Sequence, residues 1–254
     1  MCFIGHGAFG IITKAAWLPY FGVVGIGEAW AWRLMPWIGS MDVAMGFLAL
    51  IWPCRALFAW ATVWGIWTAL LRPLAGQGWP EFFERAGNFG GALSILAVVG
   101  LRGGWFSRLA DCWPEFSGPV RARLGWVLRG TTATLLAGHA GCALVLQKPS
   151  LVQHYEVFFG ARSYDAMLWV GRAEIAMALI VLVLPRPAIL VGVCGWKLAS
   201  ESLFLLGGTT APAFEVIERG GSYAVPLALA LLLAVSAEFP RLTYSADFPR
   251  SPNR

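Results

Sequence analysis

Two histidines and two carboxylates recur at matched places along this chain. His6 stands in Gly5-His6-Gly7, and His139 stands in Gly138-His139-Ala140. Asp42 closes Trp37-Ile38-Gly39-Ser40-Met41-Asp42, and Glu174 closes Trp169-Val170-Gly171-Arg172-Ala173-Glu174. An imidazole and a carboxylate in apolar surroundings can share a hydrogen bond, pass a proton, or hold the oxygen of a quinone. The flanking glycines allow a neighbouring helix or a flat ligand to come close. The competing role is structural: the imidazoles tie helices together, and each carboxylate is neutralised by a nearby base such as Arg172.

A third motif repeats as well. Glu84-Arg85-Ala86-Gly87 returns as Glu218-Arg219-Gly220-Gly221. Glu at a helix start suits the macrodipole, the arginine can pair locally or reach toward headgroups, and Gly87 and Gly221 permit tight helix contact. We read this motif as architecture. Lys197 and Glu201 occur in one half only and can neutralise each other at i, i+4. Arg129 has no evident partner. Trp60, Trp64 and Trp67 fall along one helix face, the pattern of packing against lipid or a neighbouring helix.

From motif to motif the separation between the two copies slips only by single residues. Motifs that stay in step over most of the chain are the mark of a tandem duplication. The residues that carry them sit in strongly apolar sequence. Hydrophobic residues make up 58% of the chain and charged ones 13%, about half the charged share of a soluble domain. The mean hydropathy is +0.65, and the 14 Trp and 16 Phe suit lipid and its interfaces. The composition predicts an all-α, polytopic helical membrane protein. A crossing helix needs about 20 mostly apolar residues. Such stretches fall at 35–52, 55–71, 83–100, 124–146, 167–184, 188–206 and 216–235. Residues 1–13 read as the stub of an eighth span, because only five residues precede His6 whereas apolar helix runs up to His139 from Leu124. The expected opening helix is therefore cut short.

The resulting organisation is a first four-helix repeat over 1–101, a linker over 102–122, a second repeat over 123–237 and a tail over 238–254. Four spans per half is an even number, so both halves enter from the same side as a parallel repeat. Aromatic stretches at 17–26 and 151–160 are too short to cross and are expected to lie in the interface. Pro114 and Pro119 keep the linker from forming a long helix. Arg55, the linker arginines Arg102, Arg108, Arg121 and Arg123, Arg186, and Arg241, Arg250 and Arg254 of the tail fall on one side, nine basic residues against seven on the other. That count predicts cytoplasmic termini.

Several chemistries find no support in the sequence. The five cysteines form no C-x-x-C pair, and there is no His-Glu-x-x-His, so no metal site is expected. No phosphate loop stands in a strand-turn-helix setting, and a net charge of +5 is ordinary for basic loops, so no nucleic-acid partner is implied. No cleavable signal peptide is evident.

Each half resembles the DoxX-like family of four-helix integral membrane proteins. The resemblance rests on Gly10-Ile11-Ile12-Thr13-Lys14 ending the first helix, and on the aromatic run from Trp17 to Phe21. It rests further on Gly39 with Asp42 and Gly171 with Glu174 opening the second helix, on Pro53-Cys54-Arg55 and Pro185-Arg186 in the following turn, and on the Glu-Arg-x-Gly motif of the fourth. Fusion of two units and the Gly-His pairs depart from the usual pattern. The resemblance implies a four-helix bundle per half and a membrane redox setting, since relatives include a subunit of thiosulfate:quinone oxidoreductase. A redox-accessory subunit in a bacterial inner membrane follows, binding quinone (rather than haem) or docking a soluble or membrane electron-transfer partner. A non-catalytic scaffold or assembly subunit is the alternative. A small-solute transporter ranks third, because the sequence shows no helix breaks at matched positions in the two halves.

Overall fold

The computed structural model describes residues 1–111, 113–206 and 211–242, with Pro212 and 236–242 described as backbone only. Cys112 and the tail residues Arg250 and Arg254, used above, lie outside these. No strand forms among the described residues; twelve helices do. The first half holds α1 (Cys2–Ile11), α2 (Leu18–Val23), α3 (Glu28–Ile51), α4 (Arg55–Leu74), α5 (Trp79–Glu84) and α6 (Ala86–Val99). The second holds α7 (Gly118–Leu144), α8 (Pro149–Phe159), α9 (Ser163–Val183), α10 (Pro187–Ser202), α11 (Pro212–Glu218) and α12 (Gly220–Leu242).

Three stretches are long and apolar enough to cross a membrane: Glu28–Ile51, Pro149–Val183 and Pro187–Leu205. The 24 residues of α3 rise about 36 Å, enough for a hydrocarbon core of about 30 Å. This marks a membrane protein, but the set of seven full spans expected from the sequence is not what forms. α4 and α7 have the length, 20 and 27 residues. Arg72 and three tryptophans lower the hydropathy of α4, and Arg121, Arg123 and Arg129 lower that of α7.

The stretches at 83–100 and 216–235 need a sharper correction. Each is expected as one continuous helix, and each is broken at the arginine of its Glu-Arg-x-Gly motif. α5 ends and α6 begins around Arg85, whose φ of −88° and ψ of 8° leave the helical region. α11 ends and α12 begins around Arg219, at φ −85° and ψ 10°. Just beyond each break, Gly87 and Gly221 meet backbone to backbone. A Cβ on Gly87 would lie 2.7 Å from the Gly221 carbonyl carbon, so only glycine fits this crossing.

The breaks let the short helices reach across the molecule. α5 packs on α7 and α11 packs on α1, so a short helix from each half packs on the opening helix of the other. Gly138 seats against the backbone of Phe83 and Glu84, and Gly5 seats in the matched way against Ile217 and Glu218. One apolar core joins Ala86 of α6 to Leu135 and Leu136 of α7, Val181 of α9, Leu190 of α10 and Leu229 of α12. A second joins Phe9, Ala31 and Met35 to Trp17 and Tyr20, with Phe214 of α11 packed against it. Trp17 and Tyr20 are thus turned inward, and so is Tyr155, beside Ala143 and Met167.

Candidate functional site

α1 and α3 cross closely enough at Gly7 and Gly39 that backbone meets backbone. That approach carries His6 to Asp42: the ring Nδ1 lies 2.6 Å from Oδ2. The indole Nε1 of Trp64, from α4, donates to Oδ1 of the same carboxylate at 2.8 Å. Asp42 is fully buried, and these two contacts occupy both of its oxygens. The outer face of the imidazole stacks on Trp17, with ring centroids 4.5 Å apart. Its Nε2 meets no hydrogen-bond partner among the described residues, and His6 lines a cavity of about 190 Å³ together with Trp17, Tyr20, Trp64, Arg72, Arg85 and Glu218.

The second half repeats the triad and then departs from it. His139 Nδ1 lies 3.2 Å from Glu174 Oε2, and Trp196 Nε1 donates to Glu174 Oε1 at 3.2 Å. Here the far nitrogen is engaged too. His139 Nε2 faces Glu201 Oε1 at 3.4 Å and Glu84 Oε1 at 3.6 Å. Lys197, fully buried, bridges Glu174 at 3.3 Å and Glu201 at 3.0 Å. A neutral imidazole donates from one nitrogen only, so satisfying both sides requires either an imidazolium or a protonated carboxyl.

Several readings made from the sequence change here. Trp64 reads as packing along its helix, yet its indole holds Asp42. Arg172 does not neutralise Glu174; it lies over the Trp169 ring at 4.8 Å, and Lys197 takes the place beside the carboxylate. Arg129 has partners, donating to the carbonyls of Val181 at 3.0 Å and of Leu182. Glu84 and Glu218, read with Arg85 and Arg219 as architecture, border the histidine sites as well as the helix breaks.

A larger cavity of about 610 Å³ lies between the halves. Ion pairs cross it in matched fashion: Lys14 of the first half reaches Glu215 of the second at 2.8 Å, and Lys148 of the second reaches Glu81 of the first. Nothing in the sequence reading singles these out, although Lys14 and Lys148, and Glu81 and Glu215, are separated along the chain just as Glu84 and Glu218 are. Trp64 and Trp196 share the separation of Asp42 and Glu174, a signal that was available. His154 is also missed; its Nε2 lies 2.9 Å from the Ser200 carbonyl.

Glu81, Glu84 and Cys142 bring three ligand-type atoms within 4.8 Å of one another. Their charges are already engaged. Glu81 pairs with Lys148 and, at 3.4 Å, with Arg72, while the Cys142 thiol donates to Glu84 at 3.5 Å. No protein-family model, curated protein or solved structure matches the chain.

Proposed function

We propose that the chain is a redox-accessory membrane protein that holds a quinone ring in the first-half cavity, against His6. The observation that carries this reading is the imidazole itself. Asp42 orients the ring through Nδ1, Trp17 stacks on its face, and Nε2 is left without a protein partner among the described residues on a ring that lines an aromatic-walled space. With its Nδ1–H given to Asp42, the ring donates from Nε2 as an imidazolium, the form that suits a quinone carbonyl oxygen, and Trp64 and Trp67 offer further flat surface. At about 190 Å³ the space is smaller than the roughly 300–1,000 Å³ of a drug-sized pocket. It suits a ring and leaves an isoprenoid tail to run out past Val24 and Trp67, which are exposed at its edge.

In this reading the chain is a tandem pair of DoxX-like units related as a parallel repeat, with exchanged fourth helices. It sits in a bacterial inner membrane with both termini in the cytoplasm, and docks a soluble or membrane redox partner. The test is binding of a short-chain quinone to the full chain in lipid nanodiscs, read by quenching of tryptophan fluorescence. We expect saturable quenching that His6→Phe abolishes, because Phe keeps the ring volume and removes both nitrogens. Absence of saturable binding, or full binding by His6→Phe, sinks the proposal and leaves the non-catalytic scaffold.

One observation favours a second reading. The breaks at Arg85 and Arg219 fall at matched positions beside a polar cavity between the repeats, the pointer to a transporter that the sequence lacked. Uptake of a small solute into proteoliposomes, lost on closing the Lys14–Glu215 and Lys148–Glu81 pairs by cross-linking, is its test.

A further inference from the structure

Glu218 belongs to both cavities. With Trp17, Tyr20, Arg72 and Arg85 it forms the wall shared by the ligand cavity and the larger central one. Its repeat mate is tied down: Glu84 takes a hydrogen bond from Cys142 at 3.5 Å and faces His139 Nε2 at 3.6 Å. Glu218 accepts no hydrogen bond among the described residues, and its ion pair with Arg85 spans 3.9 Å. The link corresponding to His139–Glu84 is open in the first half, where no ion pair joins His6 to Glu218 among the described residues. The cavity lies where that link would be.

The reason is three substitutions between the repeats. In the register that aligns Trp64 with Trp196, Glu201 corresponds to Ala69, Lys197 to Gly65 and Phe204 to Arg72. In the second half Glu201 takes both His139 and Arg219, the latter at 3.0 Å, and Phe204 stacks under Arg219 at 4.1 Å. In the first half Ala69 has no carboxylate to offer, so His6 Nε2 stays open. Arg85 makes only the long pair with Glu218 among the described residues, and its Nε, though buried, has no hydrogen-bond partner there. Glu218 thus lies buried in the wall between a ligand space and a polar cavity, its negative charge favoured by Arg85, Arg219 and Lys14 around it, with no short bond fixing its oxygens among the described residues.

We propose that Glu218 is the proton-transfer residue of the first-half site, carrying protons between the central cavity and a ligand oxygen held at His6. The inference rests on the quinone reading. When a low-potential one-electron donor, acting twice, gives a bound quinone an electron pair, the Glu218 carboxylate takes a proton from water in the central cavity, and that O–H bond then breaks as an O–H bond forms on the ligand oxygen. The carboxylate left behind takes a proton from water in the central cavity. The second proton of the two-electron reduction follows by the same route. Around Glu218 the charged and titratable groups are Cys2 and His6 on α1, Lys14 ahead of α2, Tyr20 on α2, Arg72 on α4, Glu84 and Arg85 at the α5–α6 break, and Glu215 and Arg219 on its own side.

The experiment uses the full chain in nanodiscs loaded with decylubiquinone, mixed rapidly with excess reduced methyl viologen, whose oxidation releases no proton, in the presence of a pH-sensitive dye. Compared at saturating quinone, Glu218→Gln is expected to slow proton uptake by about 100-fold, the scale of a lost proton-transfer group. Normal quinone quenching with an unchanged uptake rate overturns the proposal while sparing the quinone site. No quinone binding by the unaltered protein removes the reading beneath it, and the proposal with it. If Glu218→Gln does not fold, Glu218→Asp keeps the charge and withdraws it by one methylene; it is expected to slow uptake partway, and an unchanged rate again overturns the proposal.

Discussion

His6 and His139 occupy matched positions in the two halves of the chain, and their surroundings differ. Each is held at Nδ1 by a carboxylate that a tryptophan indole holds in turn. Beyond that common triad, Glu84 and Glu201 close on Nε2 of His139 and Lys197 bridges Glu201 to Glu174, whereas Nε2 of His6 has no such partner among the described residues. Where α10 carries Lys197 and Glu201, α4 carries Gly65 and Ala69. Two side chains on one helix face thus separate a closed charge network from a cavity. The comparison teaches that a repeated motif marks where polar chemistry is tolerated in apolar sequence, while unrepeated neighbours decide whether it is available to a ligand.

The comparison breaks most visibly at Lys197. Lys197→Ala leaves Glu174 and Glu201 buried without their shared cation and is expected to cost about 3–5 kcal/mol of stability, read as loss of the folded fraction in detergent. Lys197→Gly with Glu201→Ala recreates the first-half pair and should recover most of that loss. A double variant no better than Lys197→Ala would show that the network is not what distinguishes the halves. Next in size is Gly138→Leu, whose side chain would collide with the backbone of Phe83 and Glu84. We expect a loss of about 3 kcal/mol by thermal unfolding in nanodiscs, and a comparable loss for Gly5→Leu if the α1–α11 contact matches α5–α7 in energy.

Smaller effects sharpen the likeness of the two triads. Trp64→Phe and Trp196→Phe each remove one hydrogen bond to a buried carboxylate, and each is expected to cost about 1.5 kcal/mol by chemical denaturation. Trp196→Phe should be the milder, because Lys197 still faces Glu174, while Asp42 would keep only His6. The smallest effect is expected at the Lys14–Glu215 pair, where Lys14 is partly exposed and the buried Glu215 keeps Arg219 as a second partner. Lys14→Gln should cost no more than about 1 kcal/mol and lessen as salt rises, and a larger, salt-independent loss would place that pair in the core of the assembly.

Much of the molecule was legible in the chain. Apolar composition dictated helices in a membrane, because backbone groups deprived of water must bond within their own segment. The repeat register picked out His6 with Asp42 and His139 with Glu174 before any contact was known. It did so because an ionisable residue kept twice in apolar sequence is costly unless it is partnered. Tertiary structure decided the rest. The breaks at Arg85 and Arg219 arise where Gly87 and Gly221 cross, a contact between segments from opposite halves that no local pattern announces. Trp64 read as packing because an indole's apolar body and its single N–H donor look alike in sequence, and only its distance to Asp42 separates the roles. The open Nε2 of His6 depends on Ala69 being small and Glu218 standing back, on helices from opposite halves. Spacing along a chain fixes which residues share a helix face, but the gap between two such faces is set by how the helices pack.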